Sequence, residues 1–219
     1  MTINFGDGTT LTTATGGTSS HNIRSFNSST TYTPTSGTKY ITVHVIGGGG
    51  GGASGSELQG EENVDERGFG GAGGGGYVVG HYNVTGSFSG SVLVGGGGAG
   101  GISEEGFRAG GAGGDSAFQP SGSYTGSGQI VGHGGGGCPA NTGTGSGGNA
   151  QGGINFSGEN GQPRSGAGGE HTSSEAGKGG RSGNSDNTYG IGANGNETPN
   201  DTAGQSGTAG FVYIMEYIQ

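Results

Sequence analysis

The 219-residue chain carries 63 glycines, and 16 Asp and Glu against 7 Lys and Arg, for a net charge of −9. That balance argues against nucleic-acid binding, which needs Lys and Arg to neutralise phosphates, and one cysteine, Cys138, excludes an intramolecular disulfide framework. Leu, Ile, Val and Phe number only 31, below the ~20% of a chain under which disorder is the ordinary outcome, so the chain is either disordered or ordered mainly by backbone hydrogen bonds.

The start, Met1-Thr-Ile-Asn-Phe-Gly-Asp, has no charged stretch leading into an apolar one, so a product made in soluble form in the cytosol is expected. No apolar run approaches the ~20 residues of a membrane helix. Nor does any segment show a 3.6-residue apolar period, and each interior glycine would cost a helix up to ~1 kcal/mol. The expected class is all-β and glycine-rich: a small antiparallel sheet base with essentially no α-helix.

Strands are predicted where β-branched and aromatic residues alternate with polar ones, at 40–46, 77–84, 87–94 and 211–218, with a weaker one at 123–131. Thr85-Gly86 between the second and third predicts a hairpin turn. Phe5, Tyr40, Tyr77, Phe88, Phe118, Phe211, Tyr213 and Tyr217 are expected to form an apolar platform beneath the strands.

Glycine runs stand at the strand ends. Ile46 leads into Gly47 to Gly52, Val94 into Gly95 to Gly98, Val131 soon reaches Gly134 to Gly137, and Gly73 to Gly76 lead into Tyr77. Between the runs lie polar inserts at 53–69, 102–109, 138–146, 154–165, 170–178 and 184–203. A flexible linker mixes Gly and Ser freely; concentration into blocks favours order. Polyglycine can form an extended left-handed helix with three residues per turn and no internal hydrogen bonds. Its N–H and C=O groups then point outward, and without Cβ atoms such helices can bond to one another laterally. Packed polyglycine II helices, with the inserts as projecting loops, would replace the missing core.

The sequence Val45-Ile-Gly-Gly-Gly-Gly-Gly-Gly-Ala53, the hairpin-like stretch ending Val92-Leu-Val-Gly-Gly-Gly-Gly-Ala, the run Gly110-Gly-Ala-Gly-Gly-Asp-Ser-Ala-Phe118 and the close Ser206-Gly-Thr-Ala-Gly-Phe-Val-Tyr carry a resemblance. Over about residues 38–219 this organisation resembles glycine-rich tail-fibre and virion proteins of bacteriophages, and it is similar to polyglycine-sandwich adhesins at the tips of long tail fibres. The resemblance implies a non-enzymatic virion component, no cofactor, and attachment to a bacterial surface receptor, protein or glycan, through loops between the glycine runs. It also implies a homo-oligomer, with a trimer the expected state, and no nucleic-acid partner or membrane insertion. Residues 1–37 resemble leader segments of fibre and baseplate proteins and are expected to anchor the 38–219 domain to a fibre, baseplate or capsid partner. The alternatives are a capsid or tail decoration protein without a receptor role and, from another class, an ice-binding polyglycine protein. The absence of a strict Gly-x-x period counts against the last.

Candidate receptor-binding residues fall in two inserts with a common layout of carboxylates followed by an Arg near a Phe. They are Glu57, Glu61, Glu62, Asp65, Glu66, Arg67 and Phe69 in the first, and Glu104, Glu105, Phe107 and Arg108 in the second. Projecting from one end, they would make an acidic patch with two aromatic anchors, and aromatics and Arg are enriched at binding hot spots; the alternative is a solvated loop pair that aids solubility. No metal site is expected: His21, His44, His81, His133 and His171 lack ligand spacing, although His81 and His133 could approach across a sheet. Glycine-rich phosphate-loop patterns are matched often by chance at this composition, and none stands between a strand and a helix.

Overall fold

Alternating β-branched residues build the strands, and the structure, a computed structural model, describes residues 20–54, 71–102, 108–139, 143–162, 179–180, 182–183, 188–194 and 203–219, with the backbone of 2–4 and 10–12. The described residues contain no α-helix. Two short strands, β1 (Thr2–Asn4) and β2 (Thr10–Thr12), pair with each other. The nine others are β3 (Ser20–Phe26), β4 (Thr30–Tyr32), β5 (Thr38–Ile46), β6 (Tyr77–Leu93), β7 (Ser116–Gly126), β8 (Ile130–Gly132), β9 (Ala150–Gln151), β10 (Ile154–Phe156) and β11 (Phe211–Ile218). They form one antiparallel sheet in the order β3-β11-β5-β6-β7-β8-β9, with β4 and β10 also pairing with β6.

The strand over 40–46 stands, lengthened by two residues, and that over 211–218 stands as read. The hairpin at Thr85-Gly86 does not form: β6 runs without reversal from Tyr77 to Leu93. Gly86 has φ +63°, and the register to β7 shifts between Val84 and Phe88, so the glycine makes a bulge and not a turn. The weak strand at 123–131 resolves into the end of β7 and, beyond 127–129, β8. The sequence pattern does not mark residues 20–26 and 30–32 as strands, yet β3 pairs with β11 over Val212–Ile218 and β4 pairs with β6.

Alternation gives the sheet two faces. Ile41, Val43, Val45, Val78, Val212 and Ile214 point to the inner one, where they share a buried cluster with Phe88, Val92, Tyr82, Phe118, Tyr32 and Ile130. The rings of Tyr82 and Phe118 lie 5.3 Å apart. Gly90 makes room for Phe118, whose Cζ would stand 2.2 Å from a Cβ there. Phe88 and Phe118 therefore belong to a core, but the single platform expected of the aromatics is two: Tyr40, Tyr77, Phe211, Tyr213 and Tyr217 occupy the opposite, outer face. Phe5 lies outside the described residues.

Beyond the strand ends the glycine segments bond laterally with a period of three. Gly47 and Gly50 donate to carbonyls of segment 71–76, Gly48 and Gly51 to segment 108–114, and Gly49 and Gly52 to segment 203–210. Carbonyls of 47–52 accept from segments 95–101, 133–138 and 190–194. The neighbouring segment repeats the arrangement: Gly71 and Gly74 donate to 157–162, Ala72 and Gly75 to 190–194, and Gly73 and Gly76 to 133–138. These bonds are 2.7–3.0 Å long, and they satisfy backbone groups that burial would otherwise leave unpaired. Approach this close excludes side chains. A Cβ on Gly50 would stand 2.1 Å from the Gly136 carbonyl oxygen, and one on Gly73 1.9 Å from that of Ser146.

Candidate functional site

The bonding pattern orders the array from the sheet outward. Gly47 pairs with Gly76 beside the strands, and five residues on Gly52 pairs with Gln205 at the far level. At that level the chain enters or leaves the segments 55–70, 103–107, 140–142, 163–178 and 195–202. Ser54 and Arg108 flank the first two and are joined reciprocally: Ser54 N–H donates to the Arg108 carbonyl at 2.9 Å, and Arg108 N–H donates to Ser54 Oγ at 3.1 Å. Gly71 N–H reaches the Gln162 carbonyl and Cys138 N–H the Gly51 carbonyl at the same level. The described flanks of the two acidic inserts, Ser54 and Arg108, are therefore brought together.

Of the candidate receptor-binding residues only Arg108 is described; Glu57, Glu61, Glu62, Asp65, Glu66, Arg67, Phe69, Glu104, Glu105 and Phe107 lie outside the described residues. The inserts are also narrower than the sequence suggested. Cys138 and residues 143–146 belong to the array, 154–156 form β10, and 188–194 run within the array. Beneath the inserts Cys138, Ala53, Ala72 and Ala193 close the far level as a small buried cluster. Burial raises the Cys138 thiol pKa, which a backbone hydrogen bond at Ala53 only partly offsets. This thiol is suited to packing and not to nucleophilic attack.

The outer face of the sheet is a second concentration of functional groups, and alternation within β5, β6 and β11 sets it out in rows. Asn83, Tyr40 and Tyr217 stand in register, followed by His81, Thr42 and Met215, then Val79, His44 and Tyr213, then Tyr77, Ile46 and Phe211. Near the array the rings are stacked, with His44 over Tyr213 at 4.1 Å and Tyr189 over Phe211 at 4.1 Å. His44 Nδ1 bonds the Tyr77 hydroxyl at 2.6 Å. Burial first, and His81 second, lower the His44 pKa to about 4. Burial, followed by the influence of Tyr213, raises that of Tyr77. At the other end of the strands the face opens into a cleft of about 430 Å³ lined by Tyr40, Thr42, His81, Asn83, Gly126 and Tyr217 among others. The regular alternation made these rows readable from sequence; the cleft depended on which strands became neighbours.

His81 and His133 do not meet. His81 Nδ1 bonds Thr42 Oγ1 at 3.1 Å, whereas His133 is held between Asp115 Oδ2 at 2.9 Å and Gln151. Asp115 also accepts from Gly134 N–H at 2.9 Å, so this pair ties the start of β7 to the adjoining glycine segment. Among the described residues no three His, Cys, Asp or Glu side chains gather to hold a metal. No protein-family model matches the chain, and no curated protein matches it.

Proposed function

We propose that this chain is a non-enzymatic display protein of the virion-fibre type: a β-sheet base carrying a bundle of polyglycine II helices whose inserts contact a bacterial surface. The observation that carries the reading is the three-residue period of lateral hydrogen bonds from 47–52 and 71–76. It matches the repeat of a three-residue helix without internal bonds, and the flanks of 55–70, 103–107, 140–142, 163–178 and 195–202 lie at the end away from the sheet. A rigid bundle of this kind presents variable loops at little cost to its own stability, because loop ends already held together add little closure entropy. The display role, the phage assignment and the anchoring of residues 1–37 to a fibre, baseplate or capsid partner rest on the resemblance of the glycine-block organisation.

The test is a chain in which 55–70 and 103–107 are replaced by Gly-Ser tethers, compared with the parent for adsorption of fluorescent protein to a panel of bacteria. The expected result is unchanged circular dichroism with loss of adsorption. Unchanged adsorption would remove the receptor role from these inserts, and absence of adsorption by the parent across the panel would favour particle decoration.

A further inference from the structure

The cleft on the outer sheet face takes no part in displaying the inserts. It lies at the end of β5 opposite the array, which the strand enters only after Ile46. We propose that this cleft is a binding site for a neutral hexose glycan, with Tyr40 as its stacking platform. The proposal does not rest on the insert-display reading.

Three features specify the ligand class. The first is the wall: Tyr40 stacks on Tyr217 at 4.3 Å and 19°, and His21 meets Tyr217 edge-on at 4.9 Å. Tyr40 has no further ring contact among the described residues and is 41% exposed. The ring is thus held upright by its neighbour with area left for a ligand, and the C–H face of a pyranose is attracted to the electron-rich face of an aromatic ring.

The second is the polar inventory. Thr42 Oγ1 and His81 Nδ1 are hydrogen-bonded at 3.1 Å, which leaves His81 Nε2 to donate or accept according to the tautomer. The Asn83 amide NH₂ is engaged by Thr125 Oγ1 at 3.1 Å, which leaves its carbonyl oxygen as an acceptor. His81 Nε2 and the Asn83 carbonyl oxygen beside an aromatic wall match adjacent sugar hydroxyls, each of which both gives and accepts.

The third is charge. Among the described residues no Asp, Glu, Lys or Arg lines the cleft, although the chain carries −9 overall, so this lining favours neither an anionic nor a cationic ligand. The volume of about 430 Å³ falls within the ~300–1,000 Å³ of small-molecule sites.

The experiment is titration of the full chain with maltotriose, cellotriose, mannotriose and galactotriose, with trigalacturonate as the charged control, followed by heteronuclear NMR. At least one neutral trisaccharide is expected to bind near ~1 mM, with trigalacturonate weaker. Tyr40→Ala should weaken binding at least tenfold and Asn83→Ala several-fold, while Tyr40→Phe stays within a few-fold and all three variants keep the parent melting temperature. Replacement of the two inserts should leave sugar binding intact, which separates this site from the display role. No neutral binding at ~10 mM, preference for trigalacturonate, or full binding by Tyr40→Ala would each overturn the proposal. So would a change of oligomeric state in Tyr40→Ala without sugar binding by the parent, which would make the face a protein contact.

Discussion

The Tyr32 hydroxyl donates a 2.8 Å hydrogen bond to Glu216 Oε1, and both residues are wholly buried. Glu216 stands on the inner side of β11 among apolar residues, yet its carboxylate is satisfied from several directions. Thr35 gives its N–H at 3.1 Å and its hydroxyl at 2.6 Å, Asn22 gives its amide at 2.9 Å, and Arg24 stands 3.9 Å away. The terminal strand is thereby locked to the chain between β3 and β5. Tyr32→Phe should cost about 1–3 kcal/mol, and Glu216→Ala, which strands the donors, about 3 kcal/mol or more. In urea unfolding the double variant should fall short of the sum of the singles. Strict additivity would show that the two side chains do not act together.

The same carboxylate sets part of the response to acid. Burial alone would raise the Glu216 pKa, but the bonds from Thr35, Tyr32 and Asn22 outweigh it and hold the group below its ordinary 4.5. The unfolded chain then takes up the proton first, so stability is full above the ordinary value and is lost as pH falls toward the folded one. His44 acts earlier and with the same sign. It is lowered to about 4 from 6.5 and resists a proton that the unfolded chain accepts, so stability falls as pH drops from 6.5 to about 4. His44→Phe keeps a ring on Tyr213 and should flatten the curve in the upper window, whereas Glu216→Gln should flatten it only below 4.5. Unfolding midpoints measured from about pH 3 to 8 would decide; slopes unchanged in both variants would remove both groups from the acid response.

What could be read in advance followed physical locality. The strands over 40–46 and 211–218 announce themselves because their side chains alternate and their inner faces are buried. Strand β3, Ser-His-Asn-Ile-Arg-Ser-Phe, does not, because among the described strands it pairs only with β11 and its outer positions His21 and Ile23 are exposed, so little apolar pattern was needed. At Gly86 a positive φ serves a turn and a bulge equally well, and the partner β7, distant in sequence, decides between them. The glycine blocks show where the chain is thin but not which block bonds to which, since identical residues carry no pairing code. The buried Glu216 was legible only as a polar residue in a strand; its partners come from a stretch with no strand pattern. For the proposed insert site the contact between Ser54 and Arg108 could not be read from the sequence, because it joins residues 54 positions apart that carry no pairing pattern.

Glycine substitutions separate steric necessity from abundance. At Gly49 a Cβ would lie 2.0 Å from the Ile191 carbonyl oxygen, a backbone atom fixed by its own hydrogen bonds. Gly49→Ala should therefore cost about 3 kcal/mol or more. At Gly96 nothing lies within 4 Å of the point where a methyl group would stand. Gly96→Ala should be neutral or stabilise by up to ~1 kcal/mol, because alanine narrows the unfolded ensemble. Thermal melts of the two variants give the comparison, and equal losses in both would show that the period-three contacts do not distinguish the segments.

Cys138 reports on the far level of the array. Its side chain is fully buried with Ala53, Ala72 and Ala193, and its N–H holds the Gly51 carbonyl at 2.9 Å. A thiol raised by burial reacts slowly, since the thiolate is the nucleophile and access is closed. Reaction with a disulfide reagent should thus be negligible in the native protein and rise through the urea transition. Cys138→Ala should cost about 1 kcal/mol, the burial of one sulfur, and fold normally. Cys138→Leu should cost more, about 1–3 kcal/mol, because the surrounding alanines leave no room for two further carbons. Rapid labelling of the native chain, with its circular dichroism unchanged, would mean that the far level opens independently of the sheet and that the insert flanks are held only loosely.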